Sequence, residues 1–383
     1  MGDSESDVVL SIAESMELLA CFFNPEVGSK RDRDYQFTFA EQKDAVDYCL
    51  EVRGGKCRAR AGRSDNPIWW VETDLNTWLD IAGEYISGAA AVKAGRLRLK
   101  KGLLKFLFGF QRQFGGRTQW EDASGAYVSA PPPSEIRKVL MLSCSGRARQ
   151  GATDLFTELL KRGMEEAGAT VETLYPARME IQPCDGCFSC WLSGGQCIHE
   201  DDMDLFFEKY DAADLVLFAS PIYVYHGSTA LKLLMDRLFQ NAHHSITAKD
   251  GREVHPRRRG HFPYIALAAF AGFGDLEMFS PLADTFVQYS KSSGMPLAGV
   301  LRRPSAMSFL LDHVRMKTKD NVREAAVQAG RELVLHRRVT PETQAEFEQP
   351  LMALPRMISA GNYYLNKAVA DGAPFRFSRN IKG

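Results

Sequence analysis

From residue 138 onward the chain alternates short apolar runs with amphipathic stretches, and this alternation limits its fold more than any other feature. Lys138–Ser143 (KVLMLS), Thr170–Leu174, Leu215–Ser220, His261–Phe270 and Leu297–Leu301 read as strands. The unbroken apolar character of KVLMLS predicts a strand buried on both faces. Asp154–Ala167, Asp201–Tyr210 and Thr229–Asn241 read as helices. Gly168 ends the first, and Glu200, Asp201 and Asp202 begin the second, where the helix dipole favours negative charge. Strands alternating with helices predict an α/β fold with a doubly wound parallel sheet covered on both faces. The ligand of such a sheet lies beyond the carboxyl ends of its strands. Further helices are expected over Asn321–Leu365, punctuated by Pro341, Pro350 and Pro355. They would cover the ligand edge or form a dimer contact.

At 383 residues the chain is long for one core, and two domains are expected. The boundary falls in Ala123–Ser134 (ASGAYVSAPPPS), a stiff, exposed spacer. The division is then an apolar-ligand domain over 1–122, a Pro-rich linker over 123–134, a nucleotide-binding domain over 135–336 and a C-terminal helical extension over 337–383. In the first part Val8–Phe23 reads as an amphipathic helix. Tyr35–Phe39, Cys57–Ala61 and Ile68–Thr73 read as strands, and Asp74–Gly83 and Gly88–Ala94 as helices. Leu97–Phe114 alternates basic and apolar residues, and no acidic residue occurs between Glu84 and Glu121. This stretch is either an apolar-ligand or membrane-surface face or a helix packing its Phe/Leu stripe into the core with its bases solvated.

The net charge of −1 gives no electrostatic case for nucleic acid. No apolar run approaches the roughly 20 residues that span a bilayer. The acidic start MGDSESDVV lacks the features of a signal peptide, and Gly2 sits in a poor acylation context. A cytoplasmic, reducing setting is expected, where clustered cysteines read as ligands before disulfides.

Half of the eight cysteines lie within fourteen positions: Cys184, Cys187, Cys190 and Cys197. Two-residue gaps let three thiolates from one loop face a single centre, and the longer gap returns a fourth. An iron–sulfur cluster, tetrahedral zinc and redox-active thiols all fit this pattern. Cys21, Cys49, Cys57 and Cys144 are scattered and read as small hydrophobes. The eight histidines form no metal spacing, and His243-His244 and His255–Arg259 read as a solvated loop.

Three loops follow three strand ends. Ser143–Thr153 carries Ser145, Arg147, Gly151 and Thr153 between a strand and a helix start, a composition suited to a phosphate cradle. It lacks GxGxxG and the Walker A pattern, which argues against a dinucleotide or nucleoside triphosphate. The plainer reading is a capped turn with Thr153 as N-cap. The second loop runs from Pro221, Ile222, Tyr223 and Val224 to Gly227, and Pro221 stiffens the strand exit. Its amides and Tyr223 suit a flat heteroaromatic ring, or two aromatics fill a packed turn. Asp236 and Arg237 read as a structural ion pair. The third loop holds Ala271, Gly272 and Gly274, where glycine permits close ligand approach.

Together these loops resemble the flavodoxin-like NAD(P)H-dependent FMN reductase superfamily, most specifically in SPIYVYHGSTALKLLMDR, over about Ile136 to His336. The resemblance implies FMN, with its phosphate near Ser145, Arg147, Gly151 and Thr153. Its ring would lie against Pro221, Ile222, Tyr223, Val224, Ala271, Gly272 and Gly274. Cys144, Gly146 and Ala152 depart from the family's phosphate loop, which here is one residue longer. Pro183-Cys184-x2-Cys187-x2-Cys190-x6-Cys197 with Asp201-Asp202-Met203 resembles the iron–sulfur flavoprotein branch, implying a [4Fe–4S] cluster on the four cysteines. Trp70–Ala82, Gly88–Lys100 and Leu103–Phe114 resemble the sterol-carrier-protein domain, implying an α/β fold with a tunnel for lipid-like ligands. The expected whole is a flavodoxin-like doubly wound parallel sheet preceded by a smaller α/β sterol-carrier-like domain. It would act as an FMN-dependent oxidoreductase taking electrons from NAD(P)H or ferredoxin to a small, apolar acceptor, and as a homo-oligomer. A non-enzymatic flavin electron carrier and a lipid-binding protein with a flavodoxin-like scaffold are the alternatives.

Overall fold

Five strands, β6 (Lys138–Ser143), β7 (Thr170–Leu174), β8 (Leu215–Pro221), β11 (Tyr264–Phe270) and β12 (Leu297–Arg303), form one sheet in the order β7-β6-β8-β11-β12. Every pairing in it is parallel. This is the flavodoxin-like order 2-1-3-4-5, whose switch point lies between the first and third of the five strands. The computed structural model describes residues 11–23, 32–40, 45–82, 85–102, 110, 114, 131–258, 262–311 and 316–372. The chain divides into two compact units, Met1–Ala123 and Ser124–Gly383.

Alternate side chains of the central strands feed two separate cores, as the period of two demands. Val139, Met141, Leu217 and Ala268 face helices α4 (Ala152–Glu166), α9 (Lys317–Leu335) and α10 (Pro341–Glu348). Leu140, Leu142, Val216, Phe218 and Leu267 face α6 (Met203–Ala212), α7 (Thr229–Arg237) and α8 (Ser280–Ser293). On the first face α4 and α9 cross backbone against backbone. A Cβ at Gly163 would lie 1.9 Å from the Val327 carbonyl oxygen, and one at Gly330 would lie 2.1 Å from that of Leu160. Only glycine permits this crossing. Arg303 is fully buried and donates to the carbonyls of Pro304, Phe347 and Gln349, fastening α10 to the sheet end; burial lowers its pKa to about 10. The last helix, α11 (Leu354–Ala370), buries no residue.

The β6, β7, β8, β11 and β12 segments lie within a few residues of their expected bounds. The sequence reading missed α8. Its stretch SPLADTFVQYSKSS is largely polar and buries only Leu282 and Phe286. It also missed the hairpin of β9 (Thr247–Lys249) and β10 (Arg252–Val254).

In the first unit β1 (Arg33–Ala40), β2 (Ala45–Arg53), β3 (Lys56–Ala61), β4 (Trp69–Thr73) and β5 (Arg98–Lys101) form a mixed sheet ordered β3-β2-β1-β4-β5. Helices α1 (Ile12–Cys21), α2 (Leu75–Ala82) and α3 (Gly88–Lys93) accompany it. Strand β2 was not foreseen, because Asp47 and Glu51 break its apolar pattern. Both acids pair with bases, Glu51 with Arg58 and Arg60 and Asp47 with Arg63. Phe110 and Phe114 stack at 4.3 Å, and Trp69 stacks on Phe110 at 5.0 Å, inside an aromatic core with Phe37 and Trp78. At these two positions the expected Phe/Leu stripe is core. The rest of Leu103–Phe114, and Ala123–Ala130 of the spacer, lie outside the described residues. No helix among the described residues is long and apolar enough to cross a membrane.

Candidate functional site

The carboxyl edge of the parallel sheet carries four loops tied to one another through backbone and hydroxyl groups. In the first loop Ser145 and Thr153 are buried, and a Cβ at Gly151 would stand 3.2 Å from the Ser145 Oγ. Gly151, not Thr153, is the N-cap of α4, so no cap side chain covers the helix start. The Asp154 carboxylate instead accepts from the Gly151 N–H at 3.2 Å and the Ser143 hydroxyl at 2.8 Å. Arg147 and Arg149 supply positive charge on the same loop, and Arg149 lies over the Tyr175 ring.

The second loop is joined to the first by Ser228, the N-cap of α7, whose hydroxyl donates to the Cys144 carbonyl at 2.6 Å. The Ser228 N–H donates in turn to the Ser220 Oγ at 3.0 Å. Tyr223 and His226 exchange two backbone bonds around Val224 and Tyr225, both at positive φ. This is the backbone twist of a type I′ turn, and it is unusual for a β-branched residue. The Ile222 N–H reaches the Phe270 carbonyl and so joins the second loop to the third.

The third loop holds Ala271, Gly272 and Gly274. It is fixed by a fourth loop, after β12, that sequence reasoning did not find: the Ala271 N–H donates to Arg303, and the Ser305 and Ala306 N–H groups donate to Phe273 and Ala271. Ser305 Oγ would meet a Cβ at Gly274 at 3.5 Å, and Met307 one at Gly272 at 3.6 Å. The only local signal for this loop was Pro304-Ser305 just after a strand.

Two properties set this edge apart. Of the eight described non-glycine residues at positive φ, five (Ala148, Arg149, Val224, Tyr225 and Ser305) lie in these loops. Such strain persists only where the surroundings over-determine it. Large apolar groups also stand in solvent here: Val224 is 91% exposed, Phe273 76% and Tyr225 62%. Exposed apolar surface of this extent beside a helix start and two arginines fits a ligand with a flat apolar body and a phosphate. FMN has that chemistry, and the residues present accept it.

The four cysteines of the run line one small pocket with His199, Asp236, Arg237, Phe239 and Gln240. Cys184 and Cys187 are exposed and Cys190 is buried. The Cys190 thiol is pushed up by burial and by the neighbouring thiols of Cys197, Cys184 and Cys187. The Cys187 thiol is held down by hydrogen bonds from the side chain and backbone N–H of Ser189. The donor set therefore has the chemistry of a soft-metal or cluster site. The pocket has about 20 Å³ of open volume, and no three His, Cys, Asp or Glu side chains among the described residues are gathered to hold a metal ion. Cys144 is buried and its thiol is raised by burial, in keeping with a small core residue; burial also raises Cys49 to about 11.

A buried ion pair anchors the ends of this loop. Arg237 donates to both Asp201 oxygens, at 2.6 and 3.1 Å, and to the Gln182 carbonyl. Burial raises the Asp201 carboxyl, but hydrogen bonds from Arg237 and from the Gln182 and Met203 N–H groups outweigh it and hold its pKa below the usual range. Asp236 pairs separately with Lys232 at 2.5 Å, so the expected Asp236–Arg237 pair does not form and each residue meets a different partner. The pocket therefore abuts the C-terminal end of α7. The second loop lies at the other end of this helix, which is about 13 Å long.

Residues 137–255 match the family described as NADPH-dependent FMN reductase. An iron–sulfur flavoprotein of Archaeoglobus fulgidus is 31% identical over 99 residues, 26% of this chain and 44% of that protein. An iron–sulfur flavoprotein of Methanocaldococcus jannaschii is 38% identical over 100 residues, 26% of this chain and 51% of that protein. The chain thus spans about half the length of these curated relatives. A Thermus thermophilus structure described as a candidate sterol carrier protein aligns with 30% of this chain and 89% of its own at 20% identity, with a TM-score of 0.24. On these residues the second unit resembles the flavodoxin-like FMN reductases in their iron–sulfur flavoprotein branch, and on its Trp70–Phe114 pattern the first resembles the sterol-carrier-like domain.

Proposed function

We propose that this protein is an FMN-dependent oxidoreductase that passes electrons from NAD(P)H or ferredoxin through FMN and a [4Fe–4S] cluster to a small, apolar acceptor. The observation that carries this reading is the preformed carboxyl edge. Its loops are bonded to one another through Ser228 and Cys144, Ile222 and Phe270, and Ala271 and Arg303, and the first two of these loops lie in the stretch 137–255 that matches the FMN reductases. In this reading Ser145, Arg147, Gly151 and Thr153 hold the phosphate. Pro221, Ile222, Tyr223 and Val224, with Ala271, Gly272 and Gly274, hold the ring and exclude water from it. Bound FMN supplies coupling between a two-electron donor and a one-electron centre. Cys184, Cys187, Cys190 and Cys197 would ligate the cluster, with Arg237 and Asp201 holding their loop in place.

We further assign 1–122 to apolar-ligand binding, 123–134 to a linker, 135–336 to the flavin domain and 337–383 to a helical extension, and we expect a homo-oligomer in the reducing cytoplasm. The absorption spectrum of anaerobically purified protein, with flavin, iron, sulfide and zinc assayed, tests the cofactors. NAD(P)H oxidation tests the enzyme against a non-enzymatic carrier. Colourless protein without flavin would sink the reading. A second reading follows from the ungathered thiols: a flavin oxidoreductase whose four cysteines act as redox thiols. It predicts flavin without iron, and thiols that report oxidation when titrated.

A further inference from the structure

A second cavity, of about 610 Å³, lies on the face of the sheet covered by α6, α7 and α8, next to the cysteine pocket, lined by the cysteine loop at Cys184, Gly186 and Phe188, the end of α7, the β10 strand and the last turns of α8. Its size is that of a small-molecule site. Arg257, 6% exposed, is part of its lining. The sequence reading placed this residue in a solvated loop, and the structure overturns that. The guanidinium lies over the rings of Phe262, at 4.9 Å, and Tyr210, at 5.7 Å, and Nη2 makes a long bond of 3.5 Å to the Tyr210 hydroxyl. Its Nη1 has no hydrogen-bond partner among the described residues.

Arginine keeps its charge at any working pH, and a buried, unmet charged donor is costly. Ring faces attract the cation but leave its in-plane donor unsatisfied. The two acids that line the cavity do not meet this need. Asp236 is exposed and held by Lys232 at 2.5 Å, and Glu253 is exposed at the rim. Ser292 and Ser293 add hydroxyls to the wall, while Phe188, Met235 and Phe239 make an apolar side.

We propose that this cavity binds an organic carboxylate, its anionic oxygens on Arg257 and its apolar body against Phe188, Met235 and Phe239. The site is distinct from the carboxyl-edge loops, since none of their residues lines it, and the inference does not depend on the flavin.

Calorimetry on the full-length protein as isolated tests this, with benzoate as probe and benzamide and inorganic phosphate as controls. Benzoate is expected to bind once per chain, with benzamide and phosphate each at least tenfold weaker. Arg257→Met is expected to weaken benzoate by roughly 10- to 100-fold, the loss of one charge-assisted bond, with flavin content unchanged. Met235→Trp, which fills the apolar side, is expected to abolish binding and serves where Arg257→Met does not fold. Trp191 gives a spectroscopic reading, because its ring packs 4.9 Å from both Phe239 and His255, which line the cavity. Equal binding of benzoate and benzamide, phosphate as tight as benzoate, no benzoate binding, or full binding in either variant would each overturn the assignment.

Discussion

The two ends of α7 differ in how they are built. At its start, Ser228 joins loops made almost wholly of backbone bonds, strained φ angles and exposed apolar side chains. At its end, Arg237 and Asp201 hold the cysteine loop through a single buried ion pair. The first end is rigid by redundancy, since each loop is bonded to its neighbour. The second centres on one buried charge pair, with bonds from Gln182, Met203 and Arg258 around it, while the thiols it presents stay partly in solvent. A helix of nine residues is thus a strut between two sites with opposite tolerance to mutation.

The largest expected effect follows from breaking the Asp201–Arg237 pair. Asp201→Ala leaves Arg237, 1% exposed, without its counter-charge, and breaking such a buried pair costs about 3–5 kcal/mol. Urea unfolding should show this loss, and bound metal per chain should fall while flavin per chain holds. The pH dependence has a defined sign. The folded Asp201 pKa is lowered, so the pair contributes stability above the unfolded carboxyl value, about 3.9, and loses it as pH falls through the folded value. Wild-type protein should therefore lose more stability than Asp201→Asn between pH 7 and pH 3. Equal flavin loss in Asp201→Ala would erase the contrast between the two ends.

The converse change is Ser228→Ala. It removes an N-cap, about 1 kcal/mol, and with it the bond to the Cys144 carbonyl. FMN affinity should weaken and metal content should hold. A variant that lost both cofactors would show α7 to be one cooperative unit.

The same contrast marks what could be read without coordinates. The five strands of the parallel sheet were legible because apolar runs of five to seven residues report burial on both faces. Three of the four carboxyl-edge loops were legible because proline and glycine stand at fixed offsets from those strands, whereas the loop after β12 was not. The cysteine run was visible as spacing, but its position was not, since spacing carries no information about which end of α7 it meets. Arg257 was misread because RRR after a polar stretch looks solvated. Its burial comes from Tyr210 and Phe262, one of them distant in sequence. Strand β2 was hidden by acids whose partners, Arg58, Arg60 and Arg63, lie on or just beyond the neighbouring strand.

Within the cysteine loop the thiols should separate by reactivity. The Ser189 bonds lower the Cys187 pKa, whereas burial and neighbouring thiols raise that of Cys190. The thiolate is the reactive form, so in metal-free protein Cys187 should alkylate with iodoacetamide at lower pH than Cys190. Peptide mass spectrometry across pH 6–9 reads the order, and the reverse order would refute the assignment.

The smallest expected effect tests the strain at the other end. Val224 holds φ +48° with its side chain almost wholly in solvent, so it gains little packing for a conformation that L residues avoid. That conformation costs roughly 1–2 kcal/mol. Glycine removes the strain and adds about 0.5–1 kcal/mol of unfolded-state entropy. Val224→Gly should thus be neutral to about 1 kcal/mol more stable, seen as a melting temperature at or slightly above wild type. If the strain serves ligand binding, the same variant should hold FMN more weakly despite its stability. A variant that was less stable yet bound FMN as well as wild type would mean that the Val224 side chain supports the fold alone.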